Sequence, residues 1–206
     1  MNTKQQVLII HGGTTFTTDN EYRQFLQTCS LDLNKLRLRK DWKDSIQEKL
    51  GESFDVFQPR MPNTMNARYE DWKVWLDKII PLLDDNLIFI GHSLGGIFLV
   101  KYLSEQRISK RIKALFLIAA PYDDTGMIES VASFSMQGSQ KLSDVLQDQI
   151  KKIFLYYSTD DLVVPFAHAK KYQDALPQAT LRSFNNRGHF KQEDFPELLK
   201  DVRKCE

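Results

Sequence analysis

The order of apolar and polar positions along the chain predicts alternating strands and helices. Six short segments rich in apolar residues are typical of strands buried in a parallel sheet, at 7–10, 54–57, 87–90, 114–119, 153–157 and 179–184. Segments with helical spacing of apolar residues lie between and after them, at 20–28, 41–50, 67–83, 97–105, 165–176 and 195–203. This alternation predicts an α/β fold, a three-layer sandwich with a mostly parallel six-stranded sheet and helices on both faces.

Residues 14–40 are long for a connection between the first strand and the next element. Asp19 is a candidate cap for the helix at 20–28. Four leucines partly alternate with polar residues, a pattern that fits either a strand or a helix: Leu31, Leu33, Leu36 and Leu38. Acidic residues follow the basic cluster at 37–40, so we expect a solvated face there rather than a site for an acidic partner.

Residues 121–150 are polar and weakly patterned. They predict either a small flap over the binding edge of the sheet or a surface excursion with one short helix. For the flap, Tyr122, Phe134 and Met136 are candidate pocket contacts. The chain shows no internal repeat or Pro/Ser-rich linker. We therefore predict one domain over residues 1–206, with an insertion at 14–40 and the flap at 121–150.

Composition excludes several classes of protein. The formal charge is +1, which gives no reason to expect nucleic acid or a membrane as a partner. No window approaches the roughly 18 apolar residues of a spanning helix, and the N-terminus lacks the layout of a signal peptide. Cys29 and Cys205 make a poor disulfide framework, so we expect free thiols and a cytoplasmic location.

The third apolar run leads directly into Gly91-His92-Ser93-Leu94-Gly95, which satisfies the pattern G-x-S-x-G. Strand, sharp turn and helix are the context of a nucleophile elbow. Gly91 and Gly95 let the strand and the helix approach each other, and Gly96 widens that clearance. The amide of Leu94 then faces the place where an oxyanion would form. The alternative is an ordinary glycine-rich turn with an incidental serine.

A serine hydroxyl needs a base to take its proton, and the base needs an orienting carboxylate. Ser93 follows one strand, Asp160 and Asp161 follow a later strand, and His189 follows the last strand. This order resembles that of α/β-hydrolases. His189 is the only one of four histidines with the right order and setting; the others are His11, which we expect to brace its loop, and His92 and His168.

Asp160 and Asp161 compete for the role of the acid. The segment Ser158-Thr159-Asp160-Asp161-Leu162-Val163-Val164-Pro165 resembles the hydrolase pattern in which the acid lies four residues before a proline. That resemblance selects Asp161. Asp160 is then a turn or cap acceptor in the same loop.

The loop after the first strand, His11-Gly12-Gly13, is glycine-rich, so its backbone amides can face a ligand. Gly13 or Thr14 is the candidate second donor to an oxyanion. We assign Thr14, His92 and Tyr122 as candidate substrate contacts. The sequence has neither metal-ligand spacing nor a dinucleotide or phosphate loop, so we expect no metal and no cofactor.

Beyond the general pattern, the sequence resembles the short serine hydrolases related to retinoblastoma-binding protein nine. The resemblance covers most of residues 53–195 and rests on Met61-Pro62-Asn63, Ala67-Arg68, Trp72, Ile90-Gly91-His92-Ser93, Ser158-Thr159-Asp160-Asp161 with Pro165, and Gly188-His189-Phe190. It implies an α/β-hydrolase sheet, little lid and a triad of Ser93, Asp161 and His189. Residues 14–40 depart from the pattern of the family, and residues 121–150 match it only in part.

Three functions fit these features. The leading hypothesis is a carboxylesterase-like serine hydrolase that cleaves small acyl esters or amides through an acyl-enzyme on Ser93. A second is an interaction module on a hydrolase scaffold, with residues 14–40 as its contact surface. A third is acyl transfer to an acceptor other than water. The sequence does not predict an oligomeric state.

Overall fold

Strands and helices alternate along the chain in the computed structural model, which describes residues 4–136 and 142–206. The strands are β1 (Gln5–Ile10), β2 (Phe54–Phe57), β3 (Leu87–His92), β4 (Ile112–Ile118), β5 (Ile150–Ser158) and β6 (Thr180–Phe184). The α-helices are α1 (Asp19–Thr28), α2 (Leu33–Leu36), α3 (Trp42–Leu50), α4 (Tyr69–Ile79), α5 (Leu94–Glu105), α6 (Leu142–Leu146), α7 (Ala167–Ala175) and α8 (Pro196–Arg203). Short 3₁₀ helices span Ile80–Leu82 and Ala132–Phe134.

The six strands form one sheet in the order β2-β1-β3-β4-β5-β6, and every neighbouring pair is parallel. In the centre of the sheet, Ile9 pairs with Ile90 and Ile90 with Phe116. Because all strands run in the same direction, the loops that follow them meet at one edge. The predicted three-layer α/β fold is confirmed.

Each face of the sheet carries its own hydrophobic core. Successive side chains on a strand point to opposite faces, so Leu8 and Ile10 belong to one core while Val7 and Ile9 belong to the other. Helices α4, α5 and α7 cover the first face, and α3 and α8 cover the second. The continuous apolar runs that predicted the strands therefore result from burial on both sides.

Helix α5, which follows the elbow, is buried on nearly all sides rather than amphipathic as predicted. Its Phe98 ring contacts the rings of Tyr69, Trp72 and Phe134. The helix is enclosed between the sheet and these outer residues, so nearly every side chain on it must be apolar.

Two helix starts differ from the sequence prediction. Thr18 caps α1, because its hydroxyl accepts from the amide of Glu21 and the Glu21 side chain accepts from the amide of Thr18. Asp19 is instead the first residue of the helix. Helix α4 begins at Tyr69, two residues after the predicted start at 67, and has no side-chain cap.

The described part of 121–150 is packed onto the protein. Val131, Phe134 and Leu146 are buried in the first core. The His168 ring holds the start of the segment, because its Nδ1 accepts from the Tyr122 amide and its Nε2 donates to the Thr125 carbonyl. The prediction that Phe134 lines a pocket is therefore wrong. Residues 137–141 of the predicted flap lie outside the described residues.

Residues 14–40 cover little of the core. Helix α1 has no buried residue. Of the four leucines whose pattern fitted either a strand or a helix, Leu33 and Leu36 begin and end the short helix α2. An ion pair between Arg68 and Asp19 connects α1 to the start of α4. Among the described residues, no helix has both the length and the apolar character to cross a membrane.

Candidate active site

Ser93 lies on a strained turn between β3 and α5. Its backbone has φ +54° and ψ −124°, a region that L-residues rarely adopt. The turn is held because the Ser93 amide donates to the carbonyl of Ile118 at 2.8 Å and the Ser93 carbonyl accepts from the amide of Gly96 at 2.8 Å. The geometry is that of a nucleophile elbow.

The glycines of the elbow are required by close backbone approach. A Cβ on Gly91 would lie 2.5 Å from the Cα of Gly96. A Cβ on Gly95 would overlap the carbonyl oxygens of Ile10 and His11, so the helix could not pack beside β1. The pattern of small residues around Ser93 therefore has the packing reason that the sequence suggested.

His189 and Asp161 form a buried pair. The Nδ1 of His189 lies 2.8 Å from Oδ2 of Asp161, and both side chains are largely buried, at 9% and 1% exposure. The other carboxylate oxygen of Asp161 accepts from the amides of Val163 and Val164, at 2.8 and 3.1 Å. These contacts fix the carboxylate, place the imidazole proton on Nδ1 and leave Nε2 able to accept a proton.

Asp160 has a different role in the same loop. Its Oδ1 accepts from the amide of Gly188 at 2.9 Å and from the hydroxyl of Ser158. The hydrogen bond from Ser158, and then that from Gly188, hold the pKa of Asp160 below its ordinary value. Asp160 therefore braces the loop that carries His189, while Asp161 contacts the imidazole itself.

Ser93 and His189 open into one cleft of about 1070 Å³. His92 and Thr14, two of the predicted substrate contacts, also line it. Its other residues come from six loops and α3: His11, Gly12, Gly13, Leu38, Arg39, Lys40, Asp41, Lys43, Thr64, Glu129, Val163, Lys191, Gln192 and Glu193. The polar ends of Lys43 and Asp41 pair with each other at 2.5 Å.

Two backbone amides beside Ser93 can bind an oxyanion. Within the described part of the chain, the amides of Leu94 and Gly13 donate to no protein acceptor. Leu94 is the first residue of α5, where an unpaired amide and the helix dipole both favour negative charge. The amide of Thr14 donates to the carbonyl of Thr64 at 2.8 Å, so Thr14 is wrong as the alternative donor.

Two predicted contacts have other partners. His92 is buried, and its Nε2 donates to the carbonyl of His189 at 3.0 Å. Burial, followed by the charge of Lys43, holds the pKa of His92 well below its ordinary value, so the ring is neutral. Tyr122 is absent from the described cleft lining, and its ring packs against Tyr172.

The outer walls of the cleft contain residues that sequence reasoning did not single out as site residues. Lys43, Val163 and Lys191 line it. The sequence could have indicated Val163 and Lys191 only through their positions, two residues after Asp161 and two residues after His189. His11 braces the inner loop as expected: its Nδ1 donates to the carbonyl of Gly12, and its Nε2 accepts from the amide of Met61.

Comparison with known proteins decides the family. The serine hydrolase family model matches residues 37–198. The chain belongs to the serine hydrolase family. It is therefore a hydrolase, and the predicted relationship to the α/β-hydrolases is confirmed. The matched range contains all three of Ser93, Asp161 and His189.

Two relatives of this serine hydrolase illustrate the match. It is 28% identical over 150 residues to the serine hydrolase RBBP9 of Rattus norvegicus, which covers 73% of this chain and 77% of that protein. It is 26% identical over 190 residues to the YdeN protein of Bacillus subtilis, which covers 92% of this chain and 88% of that protein.

Solved structures support the same fold. The crystal structure of the B. subtilis ydeN gene product has a TM-score of 0.77 at 21% identity and covers 98% of both chains. The meta-cleavage product hydrolase CumD of Pseudomonas fluorescens has a TM-score of 0.67 at 13% identity. It covers 98% of this chain and 90% of that one. At these identities the likeness concerns the fold alone.

Among the described residues, no group of three or more His, Cys, Asp or Glu side chains could hold a metal ion.

Proposed function

We propose that this serine hydrolase cleaves small acyl esters, and related amides, through an acyl-enzyme formed on Ser93. The observation that carries the proposal is the pairing of His189 with Asp161 at 2.8 Å in the cleft onto which Ser93 opens. A fixed carboxylate, an imidazole with a free Nε2 and a serine on a strained turn are the parts that nucleophilic catalysis on an acyl carbon needs.

In the first half of the reaction, Oγ of Ser93 attacks the carbonyl carbon of the ester and its proton passes to Nε2 of His189. The carbonyl oxygen becomes an oxyanion, which accepts from the amides of Leu94 and Gly13. His189 then gives the proton to the leaving alcohol, the bond from carbon to the alcohol oxygen breaks, and the acyl group remains on Ser93. Asp161 stabilises the imidazolium that forms.

In the second half, water takes the place of the alcohol. Nε2 of His189 accepts a proton from the water while the water oxygen attacks the acyl carbon. The second oxyanion uses the same two amides, and its collapse returns the proton to Ser93 and releases the carboxylic acid. The neutral ring of His92 holds the backbone of His189 throughout, so the base keeps its position.

Labelling with a fluorophosphonate probe tests the proposal. We expect one adduct per wild-type chain, found on Ser93 by intact mass and peptide mapping, and no adduct in Ser93→Ala. Ser183→Ala is the matched control, because Ser183 is exposed on β6 and lies outside the described cleft lining. Hydrolysis of a short-chain p-nitrophenyl ester should follow the labelling across the three proteins.

Two results would contradict the proposal. Folded wild-type protein that takes up no probe would lack an activated serine and would favour the interaction-module alternative. Equal ester turnover by wild type and Ser93→Ala would assign the reaction to another group. Turnover that yields mainly a new ester when an alcohol is added would indicate acyl transfer on the same residues.

A further inference from the structure

The described part of the chain has several large apolar side chains that are almost fully exposed, and most of them come from three segments. Ile128, Leu38 and Leu162 are 95%, 94% and 90% exposed. Leu31, Leu33 and Leu36 are between 66% and 78% exposed. Single exposed leucines are ordinary on a protein surface, but several close together indicate a binding surface.

These side chains belong to segments that contribute residues to the lining of the catalytic cleft. Leu38 lines the cleft itself. Ile128 directly precedes Glu129, and Leu162 directly precedes Val163; both of these following residues also line the cleft. Three segments that are distant in sequence, each with exposed apolar side chains, thus meet at the cleft. We name this surface the apolar rim: Leu31, Leu33, Leu36, Leu38, Ile128 and Leu162.

The segment of the rim at 31–40 is also basic. Arg37, Arg39 and Lys40 are exposed and are interleaved with or follow the leucines, while Asp32 is the one acidic residue within 31–40. The cleft is lined by three basic residues, Arg39, Lys40 and Lys191, and by two acidic ones, Glu129 and Glu193. Asp41 and Lys43 also line it, but they form an ion pair with each other. Leucines interleaved with cations on an exposed segment are typical of surfaces that bind anionic lipid.

We propose that the apolar rim docks this protein on an anionic lipid surface, from which ester lipids enter the catalytic cleft. The choice of substrate class rests on the proposed ester hydrolysis, whereas the docking does not depend on Ser93. The expectation that no membrane is a partner followed from the net charge of +1, and the expectation of a solvated face at 37–40 followed from the acidic residues after that cluster. Docking depends instead on the charges close to the apolar side chains of the rim, which would enter the lipid. Screening limits the reach of a charge to about 8 Å at physiological salt, so distant charges on the protein contribute little.

A lipid surface fits the rim better than a second copy of the chain. In a two-fold symmetric dimer, the same surface patch meets itself. Both copies would then bring Arg37, Arg39 and Lys40 into one interface, and the accumulation of like charges there is unfavourable. Anionic headgroups complement the cations while the acyl region takes up the leucines, so both features of the rim are used.

Sedimentation with vesicles tests the docking. Ser93→Ala serves as the parent, so that no lipid is consumed, and the vesicles contain phosphatidylcholine with or without phosphatidylglycerol. We expect binding to the mixed vesicles and much weaker binding to phosphatidylcholine alone. Leu33→Ser with Leu36→Ser should reduce binding about tenfold, because two exposed apolar anchors are lost. Neither leucine lines the described part of the cleft.

Val74→Ser with Leu82→Ser is the matched control. Both residues are large, apolar and exposed, at 56% and 80%, but they lie in and after α4 and belong neither to the rim segments nor to the described cleft lining. We expect this pair to bind as the parent does. Arg37→Gln should weaken binding to the mixed vesicles only, and added salt should act in the same direction.

Catalysis by the rim variant separates docking from chemistry. With Ser93 present, Leu33→Ser/Leu36→Ser should cleave a short-chain ester in solution at the wild-type rate, which also shows that it is folded. It should cleave an ester lipid held in mixed vesicles about tenfold more slowly than wild type. If the wild type does not cleave the short-chain ester in solution, the proposed function is contradicted. The vesicle sedimentation would still test the docking.

Three outcomes would overturn the docking. The parent could remain in the supernatant with both kinds of vesicle, or the rim and control variants could bind equally. A wild-type dimer in light scattering that Leu33→Ser/Leu36→Ser converts to a monomer would show that the rim is a contact between two copies of the chain.

Discussion

Nε2 of His92 donates to the carbonyl oxygen of His189, and the two atoms lie 3.0 Å apart. His92 is the neighbour of Ser93 in the elbow, whereas His189 is 97 residues away from it in sequence. The centroids of the two imidazole rings lie 5.1 Å apart. This hydrogen bond connects the loop of the candidate nucleophile to the loop of the candidate base.

Removing this donor should misplace the base. His92→Phe keeps a buried ring but cannot donate, so we expect kcat to fall by up to about 100-fold while KM changes little. His92→Gln keeps an N–H donor and should restore part of the rate. Steady-state kinetics on a short-chain ester measure both values, and equal kcat in wild type and His92→Phe would rule out a positioning role.

The two adjacent aspartates should differ in their effect on catalysis. Asp161→Asn removes the acceptor charge at Nδ1 of His189 and should lower kcat by about 10³–10⁴-fold. Asp160→Asn keeps an oxygen that can accept from the Gly188 amide, so we expect a loss below about tenfold. Both variants are measured against the same ester. A larger loss in Asp160→Asn would reverse the assignment.

The elbow should not tolerate a methyl group on the helix side. Gly95→Ala would place a carbon on the backbone carbonyl oxygens of Ile10, the last residue of β1, and of His11, which follows it. We expect a loss of about 3 kcal/mol or more in the free energy of unfolding.

Gly51→Ala is the control for this substitution. Gly51 has φ +88° and ψ −172°, a region essentially confined to glycine, and no atom lies within 4 Å of the position that an alanine methyl group would take. Backbone strain of about 1–3 kcal/mol, without a steric overlap, is therefore expected there. Urea unfolding of both variants gives the comparison. A Gly95→Ala protein as stable as Gly51→Ala would contradict the close approach of α5 to β1.

Stability should fall as the pH drops below about 6.5. Burial holds the pKa of His168 below its ordinary value, and the same holds for His92. The unfolded chain therefore protonates these two histidines at a higher pH than the folded chain does. The free energy of unfolding is highest above about pH 6.5 with respect to these groups and decreases below it.

His168→Gln tests this pH dependence. The glutamine amide can replace both ring hydrogen bonds, to the Tyr122 amide and the Thr125 carbonyl, but it does not titrate. Urea unfolding between about pH 7.5 and 5.5 should show a shallower decrease than in wild type, with the remaining slope due in part to His92. An unchanged slope would show that the pKa of His168 is the same in the folded and the unfolded chain.

Patterns along the chain were sufficient for the fold and for the candidates at its centre. Apolar runs such as that of β3 predicted strands buried on both faces, and strands that run in parallel place the loops after them at one edge. Ser93, Asp161 and His189 each follow a strand, so the topology alone brings their loops together. Local spacing likewise predicted the glycines around Ser93, because their constraint comes from the turn and the helix next to it.

The tertiary structure decided which groups are engaged and which are free. The Thr14 amide is occupied by a carbonyl 50 residues away, His92 faces the backbone of His189, and Tyr122 packs on Tyr172. It also left the leucines at 31–38 exposed and brought Leu38 into the lining of the cleft. Periodicity along the chain records which residues are apolar, whereas hydrogen-bond partners and exposure depend on residues that are distant in sequence and meet only when the sheet is assembled.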